Sequence, residues 1–150
     1  WLWLNDTGTG STGSTIWNNT APTSSVFSVG TSGNVNGSGG TYVAYLFATC
    51  AGVSKVGTYT GTGTTLQIDC GFTGGARFVL IKRTDSTGDW DVWDTARGMV
   101  AGTDPSLLLN STAAEVNANS VYTTGVGFQI VSTAAGINVS GGSYIYLAIA

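Results

Sequence analysis

Short runs of β-branched and aromatic residues, each closed by a glycine-rich cluster, dominate this chain and leave little room for helices. The clusters are Thr7-Gly8-Thr9-Gly10, Asn36-Gly37-Ser38-Gly39-Gly40, Thr60-Gly61-Thr62-Gly63 and Asp85-Ser86-Thr87-Gly88. Glycine reaches backbone angles closed to other residues, and Asn, Asp and Ser bond to their own turn, so such clusters punctuate strands. Strands are expected near Val26–Val29, Thr41–Thr49, Ser54–Tyr59, Thr64–Asp69, Arg77–Arg83, Trp90–Asp94, Leu107–Leu109, Gly127–Val131 and Ser143–Ile149. Only Ser111–Val116, with Ala113, Ala114 and Glu115, suits a short helical turn. Many short strands without strand–helix alternation mean an all-β fold, an antiparallel β-sandwich or jelly-roll.

A repeat runs through the chain. Gly39-Gly40-Thr41-Tyr42-Val43 returns 102 residues later as Gly141-Gly142-Ser143-Tyr144-Ile145, and Asn36-Gly37-Ser38 as Asn138-Val139-Ser140. Phe27-Ser28-Val29 resembles Phe128-Gln129-Ile130 with one residue of slippage, and Leu4-Asn5-Asp6-Thr7 resembles Leu109-Asn110-Ser111-Thr112. Residues 1–50 therefore read as the back half of a first unit, and residues 51–150 as a complete second unit. A chain that begins in mid-unit is expected to be a fragment of something longer.

Composition removes several classes of function. The net charge is −3, and the five basic residues Lys55, Arg77, Lys82, Arg83 and Arg97 are scattered, which argues against nucleic acid. The longest apolar stretch, Tyr42 to Ala48, is far shorter than the roughly 20 residues of a membrane-spanning helix, so no membrane insertion is expected. With no histidine, a Ser-His-Asp triad, a Cys-His pair and every histidine metal site are excluded. Lys55 and Lys82 lack a Ser three residues before them, and Gly61-Thr62-Gly63 lacks both a following helix and a phosphate-binding lysine. The expectation is a protein that is not an enzyme and needs no cofactor.

What remains is a small set of candidate residues. Asp85, Asp89, Asp91 and Asp94 form the one acidic concentration. Oxygen ligands at alternate positions suit a hard cation, so Asp85, Asp89 and Asp91 with Thr87 are a candidate Ca²⁺ set. A pair of carboxylates also suits glycosidic hydrolysis. The alternative is a hairpin turn whose carboxylates pair with Lys82, Arg83 or Arg97. Trp90, Trp93 and Trp17 are candidates for stacking on sugar rings, and equally for filling a core or an interface. Cys50 and Cys70 continue the alternation of their strands, so both thiols are expected to be buried, either free or bridged.

The stretch Ala76-Arg77-Phe78-Val79-Leu80-Ile81-Lys82-Arg83, its Ser/Thr/Gly turn, Trp90 and Asp94-Thr95-Ala96-Arg97-Gly98 resemble a repeated module of tailed-bacteriophage virion proteins, common in marine phages. Leu107-Leu108-Leu109-Asn110, Thr112-Ala113-Ala114-Glu115, Gly127-Phe128 and Asn138-Val139-Ser140-Gly141-Gly142-Ser143-Tyr144 match in order. In that module the closing strand usually runs on into a basic tail, whereas here it ends at Ala150, which implies truncation at this end too. The resemblance implies a domain of unknown function in tail fibres or related appendages, with no catalytic residue to carry over. It leads to an expectation of a virion, extracellular location and of a structural or host-attachment role. Expected partners are sister subunits in a homo-oligomer (a trimer among those that fit), other virion proteins and a host surface glycan. The rival readings are a capsid or filament protein touching only its sister subunits, and a polysaccharide depolymerase.

Overall fold

The structure, a computed structural model, describes residues 1–150. The chain forms two compact units. One comprises Trp1 with Gly10–Leu46, the other Leu2–Thr9 with Phe47–Ala150.

The larger unit holds nine antiparallel strands: β1 Ser54–Thr60, β2 Leu66–Asp69, β3 Phe78–Arg83, β4 Trp90–Asp94, β5 Asp104–Leu108, β6 Val116–Ala118, β7 Val121–Thr123, β8 Gly127–Ile130 and β9 Ser143–Ile149. They make a six-stranded sheet in the order β1-β9-β3-β4-β5-β6 and a three-stranded sheet in the order β2-β8-β7. Strand β9 lies between β1 and β3, with Tyr146 opposite Gly57 on one side and Ile81 on the other. A strand flanked on both edges and covered on both faces must be apolar throughout, and Tyr-Ile-Tyr-Leu-Ala-Ile satisfies that. Gly57 is required here because the Tyr146 ring lies across it: an added Cβ would stand 2.6 Å from the phenol oxygen.

The two sheets face each other as a sandwich. Ile68, Phe128 and Ile130 from the small sheet meet Val79, Ile81 and Trp93 from the large one, all buried. The Phe128 and Tyr146 rings meet edge to face at 5.4 Å, and Tyr59 stacks on Tyr144 at 4.8 Å. Removing a buried aromatic such as Trp93 or Phe128 would cost about 3–5 kcal/mol, a large share of a domain's stability.

Within the smaller unit the regular elements are two single-turn helices, α1 Ser14–Trp17 and α2 Gly33–Asn36. Ser32 Oγ caps α2 by accepting from Asn34 N at 3.3 Å. Gly30 N donates to Ile16 O at 2.6 Å and Ser32 N to Thr15 O at 2.8 Å, which ties the two helical segments together. Ile16 is the buried apolar side chain of this unit, and Trp17 meets Phe27 edge-on at 6.4 Å.

The all-β sandwich stands as expected, and β4 and β9 occupy their expected spans. Four local expectations fail. Val26–Val29 and Thr41–Thr49 form no strands, because alternation specifies a ladder only where a neighbouring strand supplies partners. Cys50, expected buried, is therefore exposed in a tight turn, bridging only to Ser54. Cys70 is buried, and both thiols are free. Ser111–Val116 is not helical: Ser111 Oγ accepts from Ala113 N at 3.1 Å, and the turn runs into β6.

Candidate functional site

The hairpin β3–β4 carries most of the residues singled out by sequence. Lys82 and Trp90 are opposite each other on it, on the face turned away from the core residues Ile81 and Trp93. The segment Leu2–Thr9 covers that face. Lys82 is fully buried, and its Nζ donates to Gly88 O at 2.7 Å, Gly8 O at 3.0 Å and Thr7 O at 3.1 Å. Gly88 N returns a bond to Thr7 O at 3.0 Å, and Trp90 Nε1 donates to Trp3 O at 2.8 Å. The ammonium also lies 6.0 Å from the centre of the Trp90 ring. Burial lowers the Lys82 pKa, with Asp6, Asp89 and Asp91 opposing the shift. A buried ammonium with three carbonyl acceptors is a strap lock, and the Lys is used because its compact head carries three donors.

The tryptophans therefore separate. Trp93 is 1% exposed and belongs to the core, so it offers no face to a sugar. Trp90 is half-buried, with its indole N–H engaged by the strap and its ring beside Lys82. Trp93 is corrected as a glycan candidate, because the opposing sheet covers it, whereas Trp90 keeps part of its surface exposed beside the strap. Trp17 is exposed. With Trp1 it borders a shallow open cleft of about 290 Å³, whose rim carries Ser11, Thr12, Asn19 and Thr20. Asn18 and Asn19, consecutive residues with φ of 52° and 47°, turn the chain sharply at its edge.

Nor do the acidic residues gather. Asp85 pairs with Arg83 at 2.8 Å, and that bond holds its pKa down at about 2. Asp89 accepts from Asn110 Nδ2 at 2.8 Å, while Asn110 Oδ1 accepts from Trp90 N at 2.8 Å. Asp91 is pushed up to about 6, by burial first and by Asp89 second, against the pull of Lys82. Nowhere do three or more carboxylate or thiol side chains form a group able to hold a metal ion. The calcium set Asp85, Asp89 and Asp91 is thus divided among an arginine, an asparagine and a half-buried position.

Other motif residues are engaged in the same internal way. In Asp94-Thr95-Ala96-Arg97-Gly98, Asp94 Oδ1 accepts from Arg97 N at 2.8 Å and Asp94 Oδ2 pairs with the guanidinium at 2.9 Å, closing a turn. Arg97 reaches Glu115 at 3.6 Å. Asn138, fully buried, accepts from Thr62 N at 2.9 Å and donates to Thr64 O at 2.7 Å and Ser132 O at 2.9 Å. Tyr144 OH donates to Ala135 O at 2.8 Å and accepts from Val139 N at 3.0 Å.

One key residue escaped the sequence reading. Asp104 is fully buried, and its carboxylate accepts from Ser120 N at 2.7 and 2.9 Å and from Val121 N at 2.5 Å. It joins β5 of one sheet to the start of β7 in the other. Burial raises its pKa against the pull of those two amides. The signal was a lone acid before Pro105 in an apolar stretch, but proline argues against a strand and hid the element.

Fold and site together define a two-sheet, all-β module whose motif residues are engaged in holding the module itself. The chain belongs to the family described as a domain of unknown function, DUF7483, which matches residues 1–150. No curated protein and no solved structure matches it.

Proposed function

We propose that this module is a structural part of a bacteriophage virion appendage, extracellular and acting through non-covalent contacts with sister subunits and neighbouring virion proteins. The observation that carries the reading is a division of labour among side chains. Lys82, Asp104, Asn110, Asn138 and Tyr144 are engaged in internal bonds, whereas Val43, Tyr45 and Leu46 stand 80%, 82% and 73% exposed. Exposed apolar residues in a continuous run are characteristic of surfaces that meet other protein. A charged fraction of only 9% fits the same setting, because a surface wetted by hydroxyls and amides changes little with salt. Labelling with a domain-specific antibody and imaging of purified particles tests the proposal. Signal on a tail or fibre is expected, and particles devoid of the chain would refute it.

A second reading, host attachment by glycan contact, is favoured by the Trp17 cleft with its hydroxyl and amide rim. Weak contacts of this kind become effective when an oligomer repeats them. Loss of polysaccharide retention in Trp17→Ala, with folding unchanged, is the expected result. Equal retention by both proteins would remove this reading.

A further inference from the structure

We infer that Gly30–Leu46 is the closing corner and central strand of a second sheet unit, completed by a pair of strands of the β1 and β3 type from another unit of this family. A hydrogen-bond pattern occurs twice in the chain, 102 residues apart. Tyr144 OH donates to Ala135 O and accepts from Val139 N, and Tyr42 OH donates to Gly33 O at 2.6 Å and accepts from Gly37 N at 2.7 Å. Asn138 Nδ2 donates to Ser132 O, and Asn36 Nδ2 donates to Gly30 O at 3.0 Å. Asn138 N bonds to Ala134 O at 2.8 Å, and Asn36 N to Ser32 O at 2.9 Å. Gly141 has φ 79° and Gly39 φ 74°. A Cβ on Gly142 or on Gly40 would stand 2.8 Å from the corresponding phenol oxygen. Chance similarity of loops does not reproduce donors, acceptors and a positive φ at one constant offset.

The corner's purpose in the complete unit is to launch β9, which enters the large sheet between β1 and β3. Its counterpart is Thr41–Leu46. The two sequences share the character of a central strand, apolar on both faces, with Tyr42, Ala44 and Leu46 on one and Val43 and Tyr45 on the other. Their surroundings differ. Tyr144, Tyr146 and Ala148 are 1%, 6% and 0% exposed, while Tyr42 and Leu46 are 49% and 73% exposed. No strand within residues 1–150 pairs with Thr41–Leu46. The same corner and strand chemistry calls for the same neighbours, so the occupant is two flanking antiparallel strands of the β1 and β3 type with their covering sheet. A second copy of this chain as it stands does not offer that slot, because β9 fills it.

The test uses the whole chain with a second copy of Ser54–Val131 inserted between Val29 and Gly30. Gly30 then follows Val131 as Ser132 does. Backbone amide exchange at Val43–Leu46 should slow by about a hundredfold or more, toward the rates at Ile145–Ala148. Unchanged exchange there overturns the inference whether or not the insert folds, because closing that sheet is the role assigned to the segment. A measurement on the 150-residue chain stands beside it. Tyr42→Phe should speed exchange of the Gly37 amide by roughly tenfold, and Tyr144→Phe should do the same for the Val139 amide. No response at Gly37 would sink the shared corner. Dimerisation of the unaltered chain with protection of Val43–Leu46 would make a second copy the occupant and also overturn the assignment.

Discussion

Lys82 Nζ donates to Gly88 O across the β3–β4 hairpin at 2.7 Å, and the same ammonium holds the carbonyls of Thr7 and Gly8. One side chain thus closes a hairpin and fastens a segment some 75 residues earlier in sequence. Lys82→Met keeps the length and removes every donor. It should destabilise the larger unit by about 1–3 kcal/mol, since the partly buried carbonyls of Gly8 and Gly88 lose the ammonium and Thr7 O keeps only its bond from Gly88 N. Denaturant unfolding gives the magnitude. Exchange of the Gly88 amide, which bonds to Thr7 O, should rise with it. An unchanged midpoint would show that the strap holds without its lysine.

Asp104 makes a parallel prediction for the join between the sheets. Asp104→Asn leaves one acceptor oxygen where two carboxylate oxygens now serve Ser120 N and Val121 N. A loss of about 1–3 kcal/mol is expected, with faster amide exchange confined first to Ser120 and Val121. Uniform exchange across β7 would show that the carboxylate is not what fixes this join.

The two thiols should separate cleanly under a bulky labelling reagent. Cys50 is exposed and should react in the native protein. Cys70 is buried, and burial pushes its thiol up to about 11, so little reactive thiolate forms at neutral pH. It should label only when the sandwich unfolds. Mass analysis after native labelling checks both, and rapid modification of Cys70 would contradict the packing of β2.

Much of the sandwich was legible because most of its strands satisfy local rules and tertiary rules at once. Trp90–Asp94 and Ser143–Ile149 are rich in β-branched or aromatic residues with turn clusters on their flanks, and the structure pairs both. Thr41–Thr49 has the same marks and no ladder, since pairing depends on a partner that a local pattern cannot supply. That is also why Cys50 was misplaced. In the candidate site, Trp17, Trp90 and Trp93 were indistinguishable by type. Their fates differ through coverage by a distant strap and an opposing sheet, which are relationships of the folded chain. Asp104 was missed for a related reason: its three bonds come from residues 120 and 121, beyond any local window.

Asp91 supplies the prediction that separates a structural acid from a catalytic one. Its carboxyl is raised to about 6, chiefly by burial. An acid whose folded value exceeds its unfolded one binds its proton more tightly in the native state. Its contribution to stability is therefore complete below about pH 4 and is lost as pH rises toward 6. At neutral pH the ionised group is a burden, so Asp91→Asn should stabilise the chain there by on the order of 2 kcal/mol, and by much less at pH 4. Denaturant midpoints of both proteins at pH 4 and pH 7 measure that difference. A depolymerase would need Asp91 as a proton donor near neutral pH, since a raised carboxyl is what glycosidic cleavage demands of its acid. Host surface polysaccharide should keep its size on incubation with the parent and with the Asp89→Asn and Asp91→Asn proteins alike. Shortening by the parent that vanishes in either variant would make this chain an enzyme. An Asp91→Asn protein stabilised at neutral pH, with glycan length unaffected throughout, leaves the carboxyl as a tolerated strain within an interior strand of the large sheet.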